Sequence, residues 1–239
     1  MKKVILLFFV AFLCVGAVGC LNNNAKVASQ TTPEDAVRYY ITAVAENDLD
    51  KAMSVTAIDQ MASAYDFTQN AHQTNSIYPR NMQAPSDYDL YKQINKMTIS
   101  GELSSQIKGF IYSFLYDGSL QEPNVVESDD DITEFISAVN PAYIKELSVV
   151  RIDAPYPQIM ETEDVQKSLK SRADLYGADK ATEMIALIKM NNTHYWAGFS
   201  LLKYGNGWKI SSMQSYIVNQ PATGAATEVT EDAYKNMVE

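Results

Sequence analysis

Few side chains in this sequence have the type and spacing to do chemistry, and the first of them is a thiol. Ala17-Val18-Gly19-Cys20 closes a segment that opens with Lys2 and Lys3 and runs through the unbroken apolar stretch Val4 to Leu13. A positive start, an apolar middle and a small-residue end are the three parts of a secretory signal peptide. They predict a leader over residues 1–19, cut before Cys20. Cleavage removes Cys14 and leaves Cys20 as the one thiol of the mature chain. Disulfides, CxxC redox chemistry and Cys-ligated zinc are thereby excluded. From Val4 to Leu21 the stretch approaches the roughly 18 residues of a membrane span, but the neutral Asn22, Asn23 and Asn24 supply no basic stop-transfer cluster.

The remaining candidates are sparse. A histidine that serves as general base needs a carboxylate to orient it and a pocket to hold it. His194 stands just past Asn191-Asn192-Thr193, at a hairpin turn, and His72 lies in a polar loop, so no catalytic residue is assigned. Glu127, Asp129, Asp130, Asp131 and Glu134 group the oxygens that calcium favours, without the glycine turn and alternating ligands of a known loop. Placed just before Ile132, they read more plainly as acids at the positive end of a helix. No metal and no cofactor is expected. Tyr195, Trp196, Phe199, Tyr204 and Trp208 gather on the last hairpin. Aromatic strand residues are commonly cross-strand packing pairs. On a curved sheet they also line pockets, which makes these five the candidate ligand-binding residues.

The elements that position these residues can be read in order. Residues 20–31 are polar, nearly uncharged and free of aromatics, and predict a tether. Thr32-Pro33-Glu34-Asp35 has the cap, first-turn proline and early acids of a helix start, and Val37, Tyr40, Ile41 and Val44 share one face. A second helix is expected over Leu49 to Tyr65. Residues 68–86 read as a long loop, and Ser86 then caps a helix with Leu90, Ile94 and Met97 in line. A separate helix opens at Ser104 or Ser105 and carries Ile107, Phe110, Ile111 and Phe114. Another, short one bears Ile132, Phe135 and Ile136. Glu146 to Asp153 reads as a strand, Val165, Leu169 and Tyr176 as a helix, and residues 184–217 as a three-stranded meander closed by Asn206-Gly207. From Asn219 the chain is Pro/Ala/Thr/Gly-rich and reads as a tail (219–239), with a last helix near Thr230.

Helices first, then a strand, a helix and an antiparallel meander is an α+β order. The chain carries 19 basic against 29 acidic residues, and losing Lys2 and Lys3 with the leader deepens the negative balance. Such a field repels nucleic acid, and nothing polybasic adds a second membrane signal. The domain is expected to stand off the bilayer on its tether.

Two resemblances add to this reading. Ala17-Val18-Gly19-Cys20 resembles the bacterial lipobox, with Ala17 where leucine is commoner. The resemblance implies that Cys20 is diacylglycerylated and anchors the exported chain to the outer face of the cell membrane, with its thiol lost to any catalysis. Thr32-Pro33-Glu34-Asp35-Ala36-Val37, then Ala43 and Asn47-Asp48-Leu49-Asp50-Lys51-Ala52, resemble the first two helices of small exported lipoproteins with an NTF2-like (cystatin-like) domain. Tyr204-Gly205-Asn206-Gly207-Trp208-Lys209-Ile210 is similar to their final hairpin. This implies one α+β domain over residues 32–218, with helices on a curved sheet around a cone-shaped pocket and residues 66–140 as a helical insertion. Three functions follow: a non-enzymatic module binding a small apolar ligand or a protein partner, an isomerase- or dehydratase-like enzyme in the cone, or an envelope-assembly protein that uses the insertion.

Overall fold

The computed structural model describes residues 30–239. The predicted leader, Cys20 and nearly all of the tether lie outside the described residues.

Helix α1 (Pro33–Ala45) forms as its sequence directs. Thr32 Oγ1 accepts from Asp35 N at 3.1 Å, Pro33 occupies the first turn, and the apolar face is buried. The single helix expected over residues 49–65 is two, α2 (Leu49–Ser54) and α3 (Ile58–Ala64). The break has a reason. Val55 O accepts from Ile210 N (2.9 Å) and Ala57 N donates to Ile210 O (2.8 Å), so these residues leave the helix to cover a sheet edge that would otherwise carry unpaired backbone groups. The expected loop 68–86 contains α4 (Phe67–Thr74).

Helix α5 (Asp89–Leu115) is one continuous helix where two were expected. Ser86 caps nothing; its hydroxyl donates to Tyr65 O at 2.7 Å. There follow α6 (Asp129–Ala138), a 3₁₀ turn, strand β1 (Ser148–Asp153), the short α7 (Pro157–Met160) and α8 (Glu163–Leu175). Strands β2 (Lys180–Met190), β3 (Thr193–Tyr204), β4 (Gly207–Ser212) and β5 (Thr227–Glu228), then helix α9 (Glu231–Lys235), complete the described chain. The sheet is antiparallel in the order β1-β2-β3-β4, and β5 pairs with β3 where β4 does not reach. The β3–β4 turn is Gly205-Asn206, and the left-handed φ (+57°) falls on Gly205, not on Asn206-Gly207 as the dipeptide suggested.

Strand β2 is buried on both faces, as its unbroken apolar run implies. On one face Met184, Ala186 and Ile188 join Ala197, Phe199 and Leu201 beneath α1 and the C-terminal half of α5. Tyr40 meets Phe199 edge-on at 6.1 Å, and Phe110 closes the space. Each such side chain contributes about 1.5–3 kcal/mol by leaving water. On the other face Tyr234 of α9 covers Ile185 and Leu187. Leu202 lies under Met61 of α3 and Ile99 and Leu103 of α5.

Residues 219–239, expected to trail as a tail, are tied into this body. Gln106, Gly109 and Ser113 fall on one face of α5 and hold the passing segment: Gln106 Nε2 donates to Ala222 O (3.3 Å) and Ser113 Oγ accepts from Ala226 N (3.0 Å). A Cβ at Gly109 would stand 2.2 Å from Thr223 O, so glycine is what lets the backbones meet. Likewise α5, assigned to an insertion, supplies Ile107 and Phe110 to the main core.

A polar cleft on the outer face of the sheet

The face of the sheet that meets α1 is filled by Tyr40, Phe110, Phe199 and Met213, all fully buried. A cleft of about 620 Å³ opens instead on the opposite face, between α5, α8 and the segment after β4. That volume is in the range of small-molecule sites, about 300–1,000 Å³.

Its geometry begins with a charge inside the sheet. Glu183 of β2 points to the α8 side and is 1 % exposed. A carboxylate taken out of water must be paired and hydrogen-bonded. Arg172 Nη1 of α8 donates to Glu183 Oε1 at 3.0 Å, and the Ser215 hydroxyl (2.7 Å) and Ile217 N (3.1 Å) donate to Oε2. The same Nη1 reaches Ser200 Oγ at 3.1 Å, and Ser200 donates to Gln214 O at 2.8 Å. This network fixes the 214–217 segment against β3. It also holds Tyr216 at the rim, where its ring packs on the Arg172 guanidinium at 4.5 Å and stays 57 % exposed.

Around that frame the walls divide by chemistry. Met61, Ile99, Leu103 and Leu175 supply apolar surface. Ser200, Ser211, Ser212, Gln106 and Gln214 supply hydroxyls and amides. Gln106 is itself pinned, donating to Ser212 Oγ (2.9 Å) and accepting from Met213 N (2.8 Å). Tyr176 and Tyr216 stand at the sides, and burial pushes the Tyr176 hydroxyl up to about 12, so it stays neutral. Glu102 also lines the cleft, and desolvation raises its carboxyl above the ordinary range. Among the described residues Glu102 has no ion-pair partner, while Arg172 is committed to Glu183. An anion would meet repulsion from Glu102 here; a neutral ligand rich in hydroxyls would find donors, acceptors and apolar surface in one cleft.

The residues singled out from sequence lie elsewhere. Alternation along β3 separates the five aromatics. Tyr195, Phe199 and Trp208 pack in the core beneath α1, Trp196 in the cluster around Tyr234, and Tyr204 in the cluster around Leu202. None of the five lines the cleft. His194 begins β3, with Nε2 3.5 Å from Glu231 Oε1, and His72 is exposed on the last turn of α4. Asp131 Oδ2 accepts from Glu127 N (2.7 Å) and Ser128 N (2.9 Å) at the start of α6, and these bonds hold its carboxyl below the ordinary range. The acids thus cap a helix, and among the described residues no cluster of metal-ligating side chains occurs.

The crystal structure of a cystatin-like protein from Ruminococcus gnavus is similar to this chain over 82 % of its length, at 24 % identity and a TM-score of 0.51. The fold is cystatin-like, of the NTF2-like α+β type. The match takes in 44 % of that protein, so this chain spans less than half the length of the structure it resembles. No protein-family model and no curated protein matches the chain. Among the described residues no helix is long and apolar enough to cross a membrane.

Sequence reasoning missed the cleft because its lining is scattered from residue 61 to residue 222 and consists largely of single serines and glutamines. One signal was present: Glu183 directly precedes the unbroken apolar run Met184 to Ile188, and a charge drawn into a sheet there demands a partner.

Proposed function

We propose that this protein is an exported binding module, held at the outer face of the cell membrane by lipid on Cys20, whose cleft takes a small neutral saccharide without converting it. The observation that carries the ligand class is how the cleft lining divides between hydroxyls and amides and apolar side chains, with the exposed Tyr216 ring at the rim. A sugar ring presents the same division, hydroxyls at its edge and C–H groups on its faces. The apolar ligand anticipated from the aromatic hairpin loses its support, since Phe199 and its neighbours are packed against one another. Neither histidine lines the cleft, and Arg172 and Glu183 are bonded to each other, which favours binding over catalysis. The lipid anchor rests on the residues leading to Cys20.

Calorimetric titration with neutral hexose and N-acetylhexosamine oligosaccharides tests the ligand class. Saturable binding is expected, weakened roughly two- to thirteenfold by Tyr216→Ala, as loss of an aromatic contact worth ~0.5–1.5 kcal/mol implies. Binding only of anions or of apolar molecules would overturn the assignment.

A further inference from the structure

Helix α5 is apolar on two opposite sides. At 3.6 residues per turn, Asn95, Ile99, Leu103 and Gln106 form its buried face. Leu90, Ile94 and Met97 fall half a turn away, on the side facing solvent, where Leu90 is 65 % and Met97 74 % exposed. Tyr88 and Tyr91, in edge contact at 5.7 Å, stand at the N-terminal end of α5, and both are exposed. A helix apolar all round is ordinarily covered all round. We infer that the exposed stripe of α5 is a membrane-docking surface, resting on the outer leaflet beside the lipid anchor. This rests on the lipid reading of Cys20.

Three observations choose a bilayer as the occupant. The first is the tether. Ten residue steps separate Cys20 from Gln30, a reach of at most roughly 35 Å. Gln30 is fastened to the sheet, its carbonyl accepting from Trp208 N at 2.8 Å. The adjacent Lys209 shares a small cavity with Thr56, Asp59, Lys96 and Ser100, so Gln30, the first described residue, lies on the sheet edge that α5 borders. The second is charge. The chain is strongly acidic, yet residues 86–101 hold two aspartates and two lysines. Lys92 pairs with Asp89 (3.1 Å) and Lys96 with Asp59 (2.6 Å), so the approach to anionic head groups is not opposed locally. Overall charge argued for a domain standing off the bilayer; the local balance at α5 does not. The third is residue type: tyrosines at one end, aliphatic side chains along the middle and lysine stems at the flank are what an interfacial helix presents.

The test uses the lipidated chain in vesicles of phosphatidylethanolamine and phosphatidylglycerol, with a polarity-sensitive thiol label at Ile94→Cys or Met97→Cys. The control is Val150→Cys on β1, an exposed apolar position at the opposite sheet edge. The expected result is blue-shifted emission and several-fold weaker quenching by an aqueous quencher at the α5 sites than at position 150. Equal quenching at all three sites overturns the proposal. So does protection that develops without vesicles as protein concentration rises, which would mean that a second copy covers the stripe. Labelling of Cys20 itself reports a free thiol and overturns the lipid reading, independently of where α5 lies.

Discussion

Glu183 is the side chain on which the site is organised. It is buried within the sheet, and among the described residues its one cationic partner, Arg172, comes from another element. Removing that partner strands a buried charge, so Arg172→Ala is expected to lower unfolding free energy in urea by about 3–5 kcal/mol. Glu102 makes a different prediction. Its carboxyl is raised by desolvation, so the folded state holds its proton more tightly than the unfolded chain does. Stability from this group is complete below the unfolded carboxylate pKa and is lost as pH rises through the folded one. Glu102→Gln is therefore expected to raise the melting temperature at neutral pH and to flatten its decline between acid and neutral pH. A melting series across that range checks both signs. Little at this scale was legible beforehand. Cap residues such as Thr32 act within one turn and could be read directly, whereas the Arg172–Glu183 contact depends on how α8 lies over the sheet.

At the scale of elements, the meander and first helix were readable because local pattern decides them: alternation, caps and a two-residue turn. The course of α5 was not. Ser86 and Ser104 or Ser105 looked like two separate helix starts, yet burial of Ile99 and Leu103 on the same face as Ile107 and Phe110 carries one helix through. The five aromatics on the hairpin misled for a related reason. Closeness in sequence on a strand sends neighbours to opposite faces, and the packing of both faces of β3 splits them into three clusters. The C-terminal segment depends on contacts with α5 that no local pattern announces. Two glycines separate these effects. Gly224 has φ +75°, and a Cβ there would lie 2.3 Å from Gln106 O. Gly224→Ala is expected to cost about 1–3 kcal/mol from backbone strain, before the clash is counted. Gly101, with nothing within 4 Å, is a helix-interior glycine in open space, so Gly101→Ala should gain about 0.5–1 kcal/mol. Denaturant midpoints of the two variants should move in opposite directions.

For the whole molecule, the α+β class and the NTF2-like resemblance were legible in two short segments at its ends, and the fold agrees with them. What the chain does with that fold was not, because function resides in a site and not in an architecture. Here the side of the sheet beneath α1 is packed, the open cleft is on the other face, and one apolar side of α5 is exposed. These facts support the proposal that the open cleft, and not the packed side of the sheet, takes the ligand. Methyl-resolved NMR of the protein titrated with neutral oligosaccharides tests this most directly. Resonances of Met61, Ile99 and Leu103 should shift in a saturable manner while those of Met184 and Ile188, beneath α1, stay still. Shifts confined to Met184 and Ile188, or no shift at any of the five, would contradict it.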